Sequence, residues 1–359
     1  MNSRERLNRC FSNNEIDRPG VYSRTSYPHN DPTYDRLKVY LAEYSDLKLG
    51  WYNGDVESQY PAEICEESYS QDFVRIITIL HTPAGDLKKT YLQSLKNQPG
   101  LEETYLLKSA VDAERYLSLP VPDFAEEIKS FFEAEKQMGD RGIVDIKLGT
   151  NPAGFAARLF GSENFAIMSI TDREVLHSLC DRRMKIIMDK IKYFISNNVG
   201  PFFSMEGEEF LVPPLHGPED FYDFNVKYDK PIIDLIHESG GRFHIHSHGS
   251  IKSVLKGFIE MGADVLHPFE PPPMGDITPR EAKDMVRNKL CIEGNIQIAD
   301  MYEHTPEQIR EQTRELIEDA FDDHKGLIVC PTASPYLYGQ GETCFKQYKA
   351  MVDTVINYS

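Results

Sequence analysis

The segment "RFHIHSHGSIKSVLKGFIEMGADVLHPFE", residues 242–270, decides the fold. It opens with a short stretch rich in apolar residues at 242–248, which ends at a glycine. Apolar residues then recur at helical spacing between 254 and 259, and a second strand-like stretch follows at 264–270. A strand, a helix and another strand in this order are typical of two parallel strands joined by a helical crossover. The segment therefore predicts an α/β fold with a parallel sheet.

The same alternation extends over most of the chain. Eight short stretches have strand character and are bounded by Gly, Pro or charged residues: 18–23, 142–149, 164–170, 201–206, 242–248, 264–270, 289–296 and 326–331. Helix-start signals of the Thr-x-x-Glu or Thr-x-x-Gln type lie at 171–174, 278–281 and 305–308. Eight parallel strands favour a closed (β/α)₈ TIM barrel, whereas an open doubly wound sheet would show a GxGxxG motif after an early strand. We expect one barrel domain over residues 1–359.

One region interrupts the alternation. Residues 40–140 do not fit a single barrel repeat, because they contain a hairpin that turns near 83–85 and a helical stretch at 122–137. We interpret this region as an N-terminal insertion that caps the barrel.

Composition excludes several classes of function. The formal net charge of −18 argues against nucleic-acid binding, which needs clustered Lys and Arg. No apolar run is long enough to cross a membrane, and the first ten residues, "MNSRERLNRC", do not resemble a signal peptide. The six cysteines are scattered without a CxxC motif, which is typical of reduced thiols. We therefore expect a cytoplasmic protein without nucleic-acid or membrane partners.

Three histidines in alternation are the most informative polar feature. His244, His246 and His248 share one face of the predicted strand, which in a barrel is the interior face. Barrel interiors are usually filled by Val, Ile and Leu, and buried imidazoles need partners. A single histidine on a strand is usually a hydrogen-bonded core residue. Three in alternation, next to the C-terminal rim where barrel enzymes react, favour metal binding or acid–base chemistry.

Other ligand-type side chains follow the same rule of position. Carboxylate, amide, imidazole and thiol groups lie at or near the C-terminal ends of the neighbouring predicted strands: Glu206, Glu208, His267, Glu270, Glu293, Asn295 and Cys330. We take Glu206, Glu270 and Asn295 as candidate catalytic residues. Two histidines with a carboxylate or thiolate suit Zn²⁺, and an open fourth position would make the metal catalytic. His246 and His248 lie nearest the rim, whereas His244 lies deeper and would orient a ligand from behind.

These residues resemble the uroporphyrinogen decarboxylase superfamily. The resemblance rests on the order of six pieces: "DRPGVY" at 17–22, "TPAGDL" at 82–87, "HSHG" at 246–249, "GADVLH" at 262–267, "EGNI" at 293–296, and the final "LIVCPT…YKAMVDTV". The superfamily includes the decarboxylases and the zinc-dependent methyltransferases that act with corrinoid proteins and thiols such as coenzyme M. It implies a barrel fold with its site at the barrel mouth.

Two departures bear on which branch the chain resembles. The decarboxylases hold substrate carboxylates with arginines in a pattern like RPxWxMRQAGR, but "RPGVYSRTSYPHND" here offers only Arg18 and Arg24. A porphyrinogen would therefore lack its cationic clamp. The methyltransferases carry His-x-Cys-Gly where this chain has His246-Ser247-His248-Gly249, and a later Cys for which Cys330 is the candidate.

The resemblance thus implies a zinc-dependent methyltransferase. Zinc would be held by His246, His248 and Cys330, and a carboxylate of Glu206, Glu208 or Glu270 could complete the site. The enzyme would move a methyl group between a small methylated substrate or a thiol and the corrinoid of a partner protein. The alternative is a decarboxylase that acts on a porphyrinogen or a smaller acid with histidines as proton donors.

Overall fold

The main feature of the computed structural model, which describes residues 1–24, 26–54, 56–96, 99–123 and 127–358, is a sheet of eight parallel strands. Its spatial order is β1-β12-β11-β10-β9-β8-β7-β2. The strands of this sheet are β1 (Gly20–Val21), β2 (Leu47–Trp51), β7 (Gly142–Thr150), β8 (Phe202–Glu206), β9 (Arg242–His246), β10 (Val265–His267), β11 (Cys291–Ile296) and β12 (Leu327–Pro331). From β7 to β12 the spatial order follows the chain order, so each crossover is a helical segment that returns to the start of the next strand.

Helices cover the outer face of this sheet and complete an α/β fold that resembles a TIM barrel. The sequence predicts a closed barrel, whereas the described sheet has two end strands, β1 and β2, that are not paired as strands. Phe243 and Ile245 of β9 are fully buried on that side, in the core that the helices share with the sheet. The helices are α1 (Ser3–Phe11), α2 (Asp35–Tyr44), α3 (Ala110–Leu117), α4 (Lys129–Met138), α5 (Pro152–Phe160), α6 (Ser162–Thr171), α7 (Arg173–Ser196), α8 (Pro218–Asp220), α9 (Lys227–Glu238), α10 (Leu255–Met261), α11 (Pro279–Val286), α12 (Asp300–Glu303), α13 (Pro306–Ala320) and α14 (Gly341–Ile356). A π-helical turn, Phe221–Val226, precedes α9. In the described ranges, no helix combines the length and apolar character needed to cross a membrane.

A buried aspartate joins the two end strands of the sheet. The backbone N–H of Asp46 donates to the carbonyl of Val21 at 2.8 Å, and the N–H of Val21 donates to the Asp46 carboxylate at 2.9 Å. The same carboxylate accepts from Arg6 at 2.7 Å and from Arg18 at 3.0 Å. Asp46 therefore holds β1 beside the start of β2, and we call this contact the Asp46 seam. Arg18 binds the same carboxylate and is not available to bind a substrate.

One predicted strand is a helix. The stretch 164–170 lies within α6, and an apolar run of this length does not distinguish a strand from a buried helix. The stretch is apolar on both sides of α6, because Ile167 and Ile170 are exposed while Phe165 is buried. Thr171 consequently ends α6 instead of capping α7, whereas the capping boxes predicted at 278–281 and 305–308 are both present.

The missing eighth strand comes from the region predicted to be an insertion. Residues 47–51 form β2, which pairs with β7, so this part of 40–140 belongs to the large sheet. A separate antiparallel sheet follows, made of β3 (Ala62–Ser68), β4 (Phe73–Leu80), β5 (Leu87–Ser94) and β6 (Leu101–Thr104), and the predicted hairpin joins β4 to β5. Helix α4 accounts for part of the predicted helix at 122–137, of which 124–126 lie outside the described residues. A capping role for this region stays a prediction.

We predict that Asp46→Ala destabilises the protein by about 3–5 kcal/mol, because it leaves two buried or half-buried arginines without their shared partner. Urea denaturation followed by circular dichroism measures the change. Asp189→Ala is the matched control, since this exposed carboxylate binds only surface lysines and its loss should change stability by less than about 0.5 kcal/mol. Equal stability of the two variants would contradict the role given to Asp46.

Candidate functional site

A buried carboxylate collects the polar groups inside the sheet. Glu293 of β11 is fully buried, and its oxygens accept from the Tyr22 hydroxyl at 2.5 Å and from the Lys48 ammonium at 3.2 and 3.3 Å. The Nε2 atom of His244 lies 2.9 Å from the same carboxylate, and the Cys330 thiol lies 3.6 Å from it. These partners come from four different strands or strand ends, so Glu293 links β1, β2, β9 and β12.

Charge balance sets the protonation of this group. Burial opposes ionisation of Glu293, but Lys48, His244 and His267 together outweigh it and hold the pKa of the carboxyl well below its usual range. Burial lowers the pKa of Lys48, and burial followed by the Glu293 charge raises the pKa of the Cys330 thiol well above its usual value. Burial also lowers the pKa of His244 to about 4. Asp145 of β7 is a second buried carboxylate near Lys48, and the charges of Lys147 and Lys48 outweigh burial and lower its pKa to about 2. The described interior therefore contains the Glu293 and Asp145 carboxylates and the Lys48 ammonium next to a neutral imidazole and a neutral thiol.

A second cluster lies nearer the rim. His246 of β9 and His267 of β10 are in register, and their Nδ1 atoms are 2.8 Å apart. One nitrogen of Arg24, Nη1, lies 2.7 Å from Nδ1 of His246 and 3.1 Å from Nδ1 of His267. Nε2 of His267 donates to the carbonyl of Pro331 at 3.1 Å, which leaves its Nδ1 as a base. Two imidazole lone pairs thus converge on a single positive group.

The donor types here fit a zinc ion. Ligand atoms of His267, Glu293 and Cys330 lie within 4.8 Å of one another, and all three residues are buried. Imidazole, thiolate and carboxylate are the ligands that Zn²⁺ takes in proteins, and a backbone carbonyl that fixes the tautomer of a ligating histidine is a common supporting contact. The convergent lone pair of His246 offers a fourth donor next to His267. Two cations already contact these donors: Arg24 contacts both histidines, and Lys48 contacts Glu293.

A cavity of about 540 Å³ opens beside the histidines. Its walls carry four basic and two acidic side chains, although the whole chain has a net charge of −18. Two of the bases are paired with the acids of the wall, Arg183 with Glu57 at 2.5 Å and Arg158 with Glu206 at 3.0 Å. The cavity is lined by Arg24, Ser26, Tyr52, Glu57, Lys147, Gly149, Thr150, Phe155, Arg158, Arg183, Ser204, Met205, Glu206 and His246.

The sequence matches the family described as Uroporphyrinogen decarboxylase (URO-D) over residues 100–358. The chain belongs to the uroporphyrinogen decarboxylase family. Its structure is similar to a methyltransferase from Methanosarcina mazei, with a TM-score of 0.65 and 13% sequence identity over 99% of this chain and 98% of that one. A B12-independent methionine synthase from Shewanella sp. W3-18-1 is similar with a TM-score of 0.43 and 12% identity, over 78% of this chain and 74% of that one. A search of curated proteins found no match. At these identities the first likeness shows a shared fold.

The histidines of this URO-D family member do not form one group. His244 contacts Lys48 and Glu293 in the interior, and His246 contacts Arg24 and His267. Nδ1 of His248 lies 3.2 Å from Glu270, whose carboxylate also accepts from the backbone N–H of Gly249 at 3.1 Å. His246 and His248 remain neighbours, with ring centroids 4.7 Å apart, but they have different partners.

The predicted site residues also do not share one cavity. Glu206 and His246 line the large cavity, whereas Asn295 lines a separate cavity of about 180 Å³ between the end of β11 and α13. Cys330 is fully buried against Glu293, and Glu270 is nearly buried against His248. Because these groups share one end of the sheet, the sequence predicts that His246, Glu206, Glu270, Asn295 and Cys330 open onto one cavity. The structure corrects this prediction: the groups are divided between a buried interior cluster, a rim pair and two cavities.

Glu208 lies outside this interior. It is fully buried next to Asp229 of α9, and neither of its carboxylate oxygens has a hydrogen-bond partner among the described residues. Burial followed by the charge of Asp229 raises the pKa of Glu208 well above its usual value, and burial raises the pKa of Asp229 to about 8. Asn151 donates to Asp229 at 2.9 Å. Glu208 and Asp229 therefore form a buried pair of acids in which burial favours the protonated form.

Sequence reasoning missed Lys48 and Tyr22, and it named His267 and Glu293 only as polar groups at strand ends. The signal for Lys48 is present in "LKLGW", where a lysine between two leucines occupies one face of a short strand. Tyr22 belongs to the predicted first strand, but its partner, Glu293, is 271 residues away. Only the pairing of β1 with β12 and of β12 with β11 brings these two side chains together.

We predict that the wild-type protein loses stability as the pH rises from about 4 to about 8. Burial raises the pKa of Asp229 from its ordinary value of 3.8 to about 8, so over this range the carboxyl stays protonated in the folded state while it ionises in the unfolded state. Asp229→Asn should reduce the dependence, because an amide does not titrate and only Glu208 of the pair then does. Asp234→Asn, on the exposed side of the same helix, should leave it unchanged. Thermal unfolding over this pH range measures all three, and an unaltered profile in Asp229→Asn would contradict the assignment.

Proposed function

We propose that the protein is a zinc-dependent methyltransferase, which moves a methyl group between a small methylated substrate or a thiol and the corrinoid of a partner protein. The proposal is supported most by the convergence of two imidazole lone pairs next to a buried thiol and carboxylate. Such a donor set at the C-terminal ends of parallel strands lies where enzymes of this architecture place their chemistry. Membership in the URO-D family and a fold shared with a methyltransferase are consistent with it.

We propose that His246, His267, Glu293 and Cys330 hold the zinc. His246 and Cys330 are ligands that the sequence also assigns. His267 replaces His248, whose Nδ1 is turned toward Glu270. When bound, zinc supplies a Lewis acid that polarises a heteroatom bearing the methyl group or lowers the pKa of a thiol.

The residues around the donors have separate tasks. The Pro331 carbonyl fixes the tautomer of His267, and Tyr22 and Lys48 hold the Glu293 carboxylate in one orientation. We propose that His244 orients Glu293 from the interior, since its Nε2 atom lies 2.9 Å from that carboxylate. The cavity has the volume of a small-molecule site, and His246 is the proposed ligand that lines it. A separate protein would present its corrinoid at the open end of this cavity.

We predict that protein purified without added metal contains stoichiometric zinc. His267→Ala and Cys330→Ser should lose most of it, because each removes one of the proposed ligands. His248→Ala is the matched control on the same rim and should retain its zinc. Elemental analysis of the four purified proteins measures the result, and methyl transfer to a reduced corrinoid should fall with the zinc content. Wild type without zinc, or full zinc in His267→Ala and Cys330→Ser, would reject this function.

A second candidate function is the decarboxylation of a small acid. It is favoured by the basic side chains of the cavity wall, of which Lys147, Arg158 and Arg183 lie outside the N-terminal segment where the decarboxylases carry their arginines. Both His246 and His267 are neutral, since burial and the charge of Arg24 hold their pKa values well below the usual range. This protonation state makes them poor proton donors, so we place this function second.

We predict that uroporphyrinogen is not converted to coproporphyrinogen. Arg18 is committed to Asp46, so only Arg24 of the two N-terminal arginines faces the cavity, and the other basic groups of the wall have acidic partners. A substrate with many carboxylates would therefore lack sufficient cations. Incubation with the reduced porphyrinogen and chromatography of the oxidised products tests this directly. Turnover at rates typical of enzymes would support the decarboxylase instead.

A further inference from the structure

Arg24 occupies the position from which a metal would bind both rim histidines. Its Nη1 atom lies 2.7 Å from Nδ1 of His246 and 3.1 Å from Nδ1 of His267. A guanidinium has only donors, so at the shorter of these distances Nδ1 of His246 must be the acceptor. Nδ1 of His267 is also an acceptor, because its Nε2 proton is used on the Pro331 carbonyl.

The two lone pairs need a positive group between them. Their nitrogen atoms are 2.8 Å apart, and two bare lone pairs at that distance repel each other. Arg24 satisfies both at once and keeps the rings stacked, with centroids 5.0 Å apart. A zinc ion bound to these nitrogens would use the same lone pairs. Arginine stays charged, so it cannot become neutral to accommodate zinc and has to move away from the histidines.

We propose that Arg24 is a displaceable internal cation that competes with zinc for His246 and His267 and thereby sets the zinc affinity of the site. This inference rests on the proposed function, because it takes zinc as the ion that binds there. Arg24 holds the two histidines in their ligand positions while metal is absent. It must leave them when metal binds.

The structure provides room for this displacement. The Arg24 side chain lines the cavity of about 540 Å³, so its guanidinium can turn into the cavity without a change in the fold. Lys48, the other cation near the donors, differs in this respect. It is buried and held by Glu293 and His244, and it does not line the cavity. Arg24 is therefore the cation that can move.

The test is a zinc titration of metal-free protein against a chromophoric chelator, which yields the dissociation constant for zinc alone. Arg24→Met should bind zinc more tightly than wild type by about tenfold or more, the size of effect that single supporting residues have on metal sites. Arg24→Lys keeps the charge and should stay close to wild type. Arg158→Met removes a cation from the same cavity that contacts Glu206 and none of the proposed ligands, and it should not change the affinity.

The sign of the change separates this role from a structural one. If Arg24 only supported the histidines, Arg24→Met would bind zinc more weakly. Equal or weaker binding in Arg24→Met would overturn the inference and leave the zinc site of the wild type in place. Absence of zinc binding in both proteins would overturn the inference together with the proposed function.

Discussion

The seam at Asp46 is the constraint on which the rest of the molecule depends. The end strands of the large sheet, β1 and β2, are held together through hydrogen bonds between Asp46 and Val21. Because the seam holds β1 in place, Tyr22 reaches Glu293 two strands away, and Arg24 reaches His246 four strands away. A carboxylate performs this function better than an apolar residue would, since it accepts at once from a backbone N–H and from two arginines. The candidate site therefore depends on the curvature of the sheet, which brings together side chains from strands that are not neighbours.

Curvature also places charge where a barrel normally has aliphatic side chains. The interior contains a Glu293 carboxylate and a Lys48 ammonium, and both are removed from water. Such a pair does not in itself stabilise a fold, because desolvation offsets much of the attraction. The proposed function gives this pair a role, together with the hydroxyl, the imidazole and the thiol beside it. The outer face of the same strands, with Phe243 and Ile245 fully buried, supplies the apolar contacts that this arrangement requires.

The local parts of the fold were predictable, and the long-range parts were not. Period-two alternation at 242–248 places His244 and His246 on the interior face, and two Thr-Pro signals mark helix starts correctly, because these features depend on neighbours within a few residues. The strand predicted at 164–170 was wrong. An apolar sequence with no clear period is equally compatible with a strand and with a helix that is apolar on all sides. The contacts of Lys48 and His267 depend on which strands become neighbours. The position of Glu208 depends on a bend at Gly207 that turns the side chain away from the cavity. Nothing in one sequence specifies those placements before the sheet order is known.

The pairing of β1 with β12 has a consequence for synthesis of the chain. Gly20 and Val21 find their partners at Ile328 and Val329, so the first strand of the sheet leaves the ribosome about 300 residues before the strand it binds. Strands β7 to β12 can add to one another in the order in which they are made, and the antiparallel sheet is formed entirely from residues 62–104. The N-terminal segment can contact Asp46 early, but β1 has no strand partner until synthesis is nearly complete. We expect the hydrogen bonds of Tyr22 and Arg24 to form late in folding, after the strands that carry their partners.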